Sequence, residues 1–226
     1  MKDSIVRFYD NDKNNFIGNN YNNMECILIN DKKPNIFLKK KTFSPQLYYI
    51  EYILKHPFEL EFIKLSTKYP FITYEENPPN NGIEKKHIED LKDWCIEYKK
   101  KDKYVFFDWD RTISVTDGFH YLPKIPKKYL KEYLYYILGG KERFYELKDL
   151  FSFLHQNKVH LYILTNNPTA TEKYKDYFLT MIHFIDPKFK TKHLLYGLRY
   201  FHKEDKDKNI LKSNKIVLLE KNFNFS

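Results

Sequence analysis

The stretch Tyr104-Val105-Phe106-Phe107-Asp108-Trp109-Asp110-Arg111-Thr112 decides how this chain is read. Its first four residues are aromatic or β-branched and suit a buried strand. Aspartate disfavours strand, so Asp108 marks the C-terminal end of that strand. A second acid follows two residues later and a threonine closes the run. In a parallel α/β sheet the carboxyl ends of the strands are where ligands bind, so residues 108–112 are either a ligand-handling loop or an ordinary turn.

Upstream, Ile88, Leu91, Cys95 and Tyr98 recur at helical spacing through residues 83–99, and Trp94 widens the same apolar face. The cluster Lys99-Lys100-Lys101-Asp102-Lys103 ends that helix favourably for its dipole. Downstream, Gly118 and Pro123 predict a bent flap over residues 113–125, and Pro126 to Leu138 reads as a helix that Gly139-Gly140 breaks. Phe144, Leu147, Phe151 and Leu154 predict a second helix over residues 141–156. Val159–Thr165 is a second apolar strand ending in a polar residue. After the turn Asn166-Asn167-Pro168, Thr169-x-x-Glu172 matches a capping box that opens another helix. His193–Tyr196 is expected as a third strand, Lys203–Lys208 as a short charged helix, and Lys215–Leu219 as a fourth strand ending in Glu220. Strands alternating with helices are the rhythm of a parallel sheet.

Residues 1–80 are less legible. Ile5–Tyr9, Glu25–Ile29 and Asn35–Leu38 are β-prone runs separated by Asn- and Asp-rich turns. Ser44-Pro45 looks like a helix start, with Leu47, Ile50, Ile53 and Leu54 following at helical spacing as far as His56-Pro57. A further helical turn or two is expected over Glu59–Leu65, and a strand over Phe71–Tyr74. No catalytic constellation stands out here, so this part is expected to be a small α+β N-terminal module, structural or partner-binding. The run Asn77-Pro78-Pro79-Asn80-Asn81-Gly82 supplies the boundary, dividing the chain into 1–80 and 81–226.

Composition narrows the function classes. With 226 residues, 20 Tyr and 19 Phe, the chain can bury a full core. No apolar run approaches the roughly 18 residues of a membrane span, and no signal-peptide core follows the first residues. A cytoplasmic protein without a membrane partner is therefore expected. Cys26 and Cys95 are far apart and read as reduced thiols, and the eight histidines show no zinc-ligand spacing. The net charge of +9 invites a nucleic-acid partner. Arginine occurs only as Arg7, Arg111, Arg143 and Arg199, however, and Ala only as Ala170, whereas Lys and Asn abound. That bias fits an AT-rich genome. Base recognition also favours the arginine fork, so a solvated lysine surface is the better reading.

The run Asp108-Trp109-Asp110-Arg111-Thr112, followed by an apolar strand ending in Thr165, resembles the DxDxT and second motifs of the haloacid dehalogenase (HAD) superfamily over roughly residues 83–221. FDWDRT, Gly-Gly-Lys-Glu-Arg-Phe and a strand ending Thr-Asn-Asn-Pro look most like HAD-like proteins of large DNA viruses, which extends the expected location to a host cytoplasm or a virion. The resemblance implies a Rossmannoid three-layer α/β fold with a parallel sheet and a minimal cap, since residues 113–140 leave room only for a flap and one helix.

It also implies an Mg²⁺-dependent phosphatase acting on a phosphomonoester. Asp108 would be metal ligand and nucleophile, and Asp110 would ligate through its carbonyl and transfer protons. Thr112, Thr165 and Asn166 would hold the phosphate. A lysine from the third motif, Lys206 in preference to Lys203 or Lys208, would balance its charge, and Glu220 would complete the metal site in place of the usual aspartate of the fourth motif. Two alternatives stand beside this reading. One is a HAD-like binding or accessory protein with weakened or lost catalysis, acting through residues 1–80. The other is a nucleic-acid end phosphatase.

Overall fold

The computed structural model describes residues 4–29, 82–115, 130–167, 170, 174–197, 204–205, 210–211 and 213–223. Strands β1 (Ile5–Asp10), β2 (Met24–Leu28), β3 (Lys103–Phe107), β4 (Val159–Thr165) and β5 (Leu194–Tyr196) form one sheet. Its order is β2-β1-β3-β4-β5, and every neighbouring pair is parallel. The chain is thus an α/β protein with a five-stranded parallel sheet. The helices are α1 (Lys85–Glu97), α2 (Leu130–Ile137), α3 (Lys141–Gln156), α4 (Lys175–Ile185) and α5 (Asn214–Asn222).

Each strand sends alternate residues to opposite faces, and both faces are apolar. Tyr9, Val105, Phe107, Leu161, Ile163 and Leu194 pack with α1 to α4 in the larger core. Phe107 stacks on Phe151 of α3 with ring centroids 5.9 Å apart. On the other face Val6, Phe8, Phe106, Leu164 and Leu195 meet Ile216 and Leu219 of α5. Helices therefore cover both faces, as parallel sheets require. No helix among the described residues is long and apolar enough to cross a membrane. Cys26 and Cys95 are free thiols.

Three expectations are corrected. First, β1 pairs along its length with β3, opposing Phe8 to Phe106 and Tyr9 to Phe107. The described part of residues 1–80 therefore belongs to the same sheet as the rest and is no module apart from it. Second, Lys215–Leu219 lies in a helix. Ser213 caps it, its Oγ accepting from Ile216 N at 3.2 Å, and Ile216 and Leu219 share the buried face. Third, within Lys203–Lys208, Glu204–Asp205 is a strand, β6, paired antiparallel with β7 (Ile210–Leu211). The expected elements within residues 30–81, most of the flap and the Thr169–Glu172 capping box lie outside the described residues.

Because β1 is an interior strand, its core residues carry the stability of the whole sheet. Phe8 is fully buried, edge-on to Phe16 at 5.2 Å. Phe8→Ala is expected to cost about 3–5 kcal/mol, read as a lower urea midpoint at unchanged m-value. A peripheral module would instead give a separate, local transition.

Candidate functional site

Chain order runs outward from β1 to β2 on one side and from β3 to β4 and β5 on the other. The reversal falls between β1 and β3, and a crevice at the carboxyl ends of the strands is expected at such a point. The two strands end there in acids: Asp10 is the last residue of β1, and Asp108 directly follows β3. The Asp108 N–H donates to Tyr9 O at 2.9 Å, which locks the two strand ends in register.

Lys215, in the first turn of α5, reaches this point from the chain's other end. Its Nζ donates to Asp10 Oδ2 and to Asp108 Oδ1, each at 2.6 Å. All three residues are buried: Asp10 at 0 %, Lys215 at 2 % and Asp108 at 4 % exposure. The remaining oxygens are also engaged. Asp10 Oδ1 accepts from Asp12 N at 2.8 Å and Asn15 Nδ2 at 2.9 Å, while the Thr112 hydroxyl donates weakly to Asp108 Oδ2 at 3.4 Å.

The charges are strongly biased. Burial works against the Lys215 ammonium, but Asp10 and Asp108 outweigh it and hold its pKa above the ordinary lysine range. Burial pushes Asp108 well above the usual carboxylate range; Lys215 opposes this, whereas Asp10 and Asp110 add to it. The geometry favours a permanently charged Lys215, because two carboxylate oxygens face it at 2.6 Å. The group with elevated proton affinity is then Asp108.

The loop after β3 is tightly built. Trp109 is fully buried against Phe178 of α4, with ring centroids 5.0 Å apart. Arg111 adopts a left-handed φ of 57°, and the turn closes where the Ser114 N–H and hydroxyl both donate to Trp109 O. From the N-terminal turn of α3, the Arg143 guanidinium donates to the main-chain carbonyls of Ile83, Thr112 and Ile113. Burial lowers its pKa to about 10. Gly82, at φ +90°, allows the close approach: a Cβ there would lie 2.9 Å from Thr112 O.

At the end of β4, the Thr165 hydroxyl is buried and accepts from Asn167 N at 3.0 Å. Asn167 Nδ2 lies 3.0 Å from each carboxylate oxygen of Asp110. Asn166 is half-buried beside Gly197, and its Oδ1 finds no hydrogen-bond partner among the described residues.

The structure thus brings Asp108, Asp110, Thr112 and Thr165 to one sheet edge. It does not bring Glu220 with them. Glu220 lies on α5 about 7.5 Å along the axis and about 140° around from Lys215 by helix geometry, and it accepts from Tyr21 Oη at 2.6 Å. Its expected position at a strand end fails with the strand. Lys203 and Lys206 lie outside the described residues. Sequence reading passed over Asp10, Lys215 and Asn167. Asp10 carried the same signal as Asp108, an acid directly after an apolar β-prone run. Lys215 was a lone cation at the head of the apolar run Ile216–Leu219, behind a Ser suited to cap a helix. Asn167 carried no signal beyond its turn and its place in the run Thr-Asn-Asn-Pro.

Among the described residues, no three His, Cys, Asp or Glu side chains are grouped so as to hold a metal ion between them. No protein-family model matches the sequence, and neither a curated protein nor a solved structure matches it.

Removing the cation isolates the strength of the cluster. Lys215→Met, which leaves buried carboxylates without a partner, is expected to destabilise the fold by about 3–5 kcal/mol at pH 7 in urea titrations. A carboxyl whose folded pKa lies above its unfolded one takes up a proton on folding. Its penalty therefore grows as pH rises from about 4 towards the folded value, and the deficit of the variant should shrink on acidification.

Proposed function

We propose that the chain is a HAD-like phosphatase, dependent on Mg²⁺, that hydrolyses a phosphomonoester through an aspartyl-phosphate on Asp108. The observation that supports this best is Lys215 Nζ, 2.6 Å from both strand-end acids, at the reversal point of a parallel sheet. In this reading Lys215 is the lysine and Asp10 the acid that the resemblance implied near Lys206 and at Glu220. The family order then appears rotated in the chain, its lysine-bearing helix at the end and its last acid-bearing strand at the beginning.

The donor set suits a hard divalent ion. Asp10, Asp108 and Asp110 set three carboxylates against one ammonium; burial first, and then the neighbouring Asp10 and Asp110, raise the proton affinity of Asp108. Mg²⁺ keeps several waters and needs only one or two carboxylates, so a cage of three acidic side chains is not required. Asp10 and Asp108, with the Asp110 carbonyl, would hold it. When bound it would neutralise the phosphate dianion and so admit an anionic nucleophile.

The chain's own residues supply the remaining chemistry. Lys215 keeps Asp108 oriented and offsets charge on the transferring phosphoryl group. Asp108 attacks phosphorus, forming an Oδ–P bond as the ester P–O bond breaks, and Asp110 gives its proton to the leaving oxygen. Asp110 then takes a proton from the water that cleaves the acyl-phosphate. Thr112 and Thr165 offer hydroxyls at the same edge.

The test is hydrolysis of an aryl and an alkyl phosphate. Wild type should turn over both with Mg²⁺ and neither with chelator. Asp108→Asn should fall to background, Asp10→Asn should need more Mg²⁺, and Glu220→Gln should retain the wild-type rate. Equal background rates for wild type and Asp108→Asn on both esters would rule the enzyme out.

A further inference from the structure

Asn167 lies outside both motifs, yet it touches the group proposed to move protons. Its side chain is buried, at 4 % exposure, and its Nδ2 sits 3.0 Å from Oδ1 and 3.0 Å from Oδ2 of Asp110. The amide presents its NH₂ to Asp110, and either carboxyl oxygen can accept from it, so the contact persists when the other oxygen carries a proton. The backbone of Asn167 is held as well. Its N–H donates to Thr165 Oγ1 at 3.0 Å, and its carbonyl accepts from Ala170 N at 3.0 Å.

We propose that Asn167 is the positioning residue of Asp110, fixing that carboxylate to the end of β4 rather than leaving it to its own loop. This rests on the reading of Asp110 as the acid–base. Asp110 is half-buried and sits beside the left-handed Arg111, and its side chain chooses among staggered rotamers. A nitrogen equidistant from both oxygens defines one of them. Asp108 follows β3 and Asn167 follows β4, adjacent strands with Phe107 opposite Ile163. The distance from nucleophile to proton donor is thereby set by the sheet. The link also joins Thr165, a proposed phosphate ligand, to Asp110 through one residue.

Asp110 acts twice, protonating the leaving oxygen and later deprotonating water. A good aryl leaving group departs with little help, whereas an alkoxide needs the proton. Asn167→Ala should therefore lower kcat on an alkyl phosphate by about 10²-fold, the scale of a misplaced catalytic group. With an aryl phosphate, the first turnover should stay near wild type while hydrolysis of the intermediate slows, so that phosphate accumulates on Asp108 and is detected by acid quench and mass spectrometry. KM for the alkyl ester should change little, while KM for the aryl ester should fall as the intermediate accumulates.

Asn167→Asp keeps the size and the backbone bond to Thr165 but sets an anion against Asp110, and it should be more impaired than Asn167→Ala. A merely space-filling role predicts the opposite order. Independently of activity, the Asn167 side-chain amide protons should exchange slowly in NMR spectra of wild type and faster in Asp110→Ala. Fast exchange in wild type, or equal losses on both esters without accumulation, would overturn the proposal. A wild type inactive on every ester would instead remove the phosphatase reading, while amide exchange would still decide whether Asn167 holds Asp110.

Discussion

A lysine ammonium held between two buried carboxylates is the interaction on which the rest of this structure depends. Asp10 and Asp108 end adjacent strands, and their burial is tolerable only with a cation facing both. Lys215 meets that need from 205 residues away from one acid and 107 from the other. β1, β3 and α5 are thereby pinned to a common point. Ser213 reinforces it, donating its hydroxyl to Asn15 O and its N–H to Ile17 O in the segment after β1.

Around that point long-range polar contacts tie the scaffold together. Arg143 spends its donors on three main-chain carbonyls of the segments flanking the acidic loop. Trp109 anchors the residue between Asp108 and Asp110 in the core, so the two acids turn towards the sheet edge on either side of a buried ring. A second ionic knot lies on the far side. Arg7 pairs with Glu25 and Asp90 at 2.7 Å each and lies over Trp94 at 5.0 Å, joining β1, β2 and α1. Both partner carboxylates are more than half exposed, so this contact orients elements more than it stabilises them. The carboxyl edge of the sheet has the buried ionic cluster, whose energetics are far more sensitive to loss of a partner.

Local pattern carried most of the helices and strands. Residues 141–156 form α3 as their apolar spacing indicated, and Val159–Thr165 forms β4. Local pattern does not settle Lys215–Leu219, expected as a strand and found in α5. A short run of β-branched and aliphatic residues fits a buried strand and one face of a short helix equally well. The Ser213 cap and the packing of Ile216 and Leu219 against Phe8 and Phe106 decided for helix. With that reversal Glu220 moved away from the site and Lys215 moved into it.

The amino-acid sequence by itself determined the alternation of strands and helices, the acidic loop after β3 and the polar end of β4, because these follow from spacing within a few residues. Only the tertiary structure decided which strand lies beside β3, and so which second acid faces Asp108. Strand order is set by which apolar faces can be buried together and by which buried charges can be matched, and both conditions link residues far apart in the chain. Asp10, Lys215 and Asn167 show no local mark of belonging together. They meet because Asp10 lies next to Asp108 across β1 and β3, because α5 carries Lys215 to both acids, and because the turn after β4 brings an amide to Asp110.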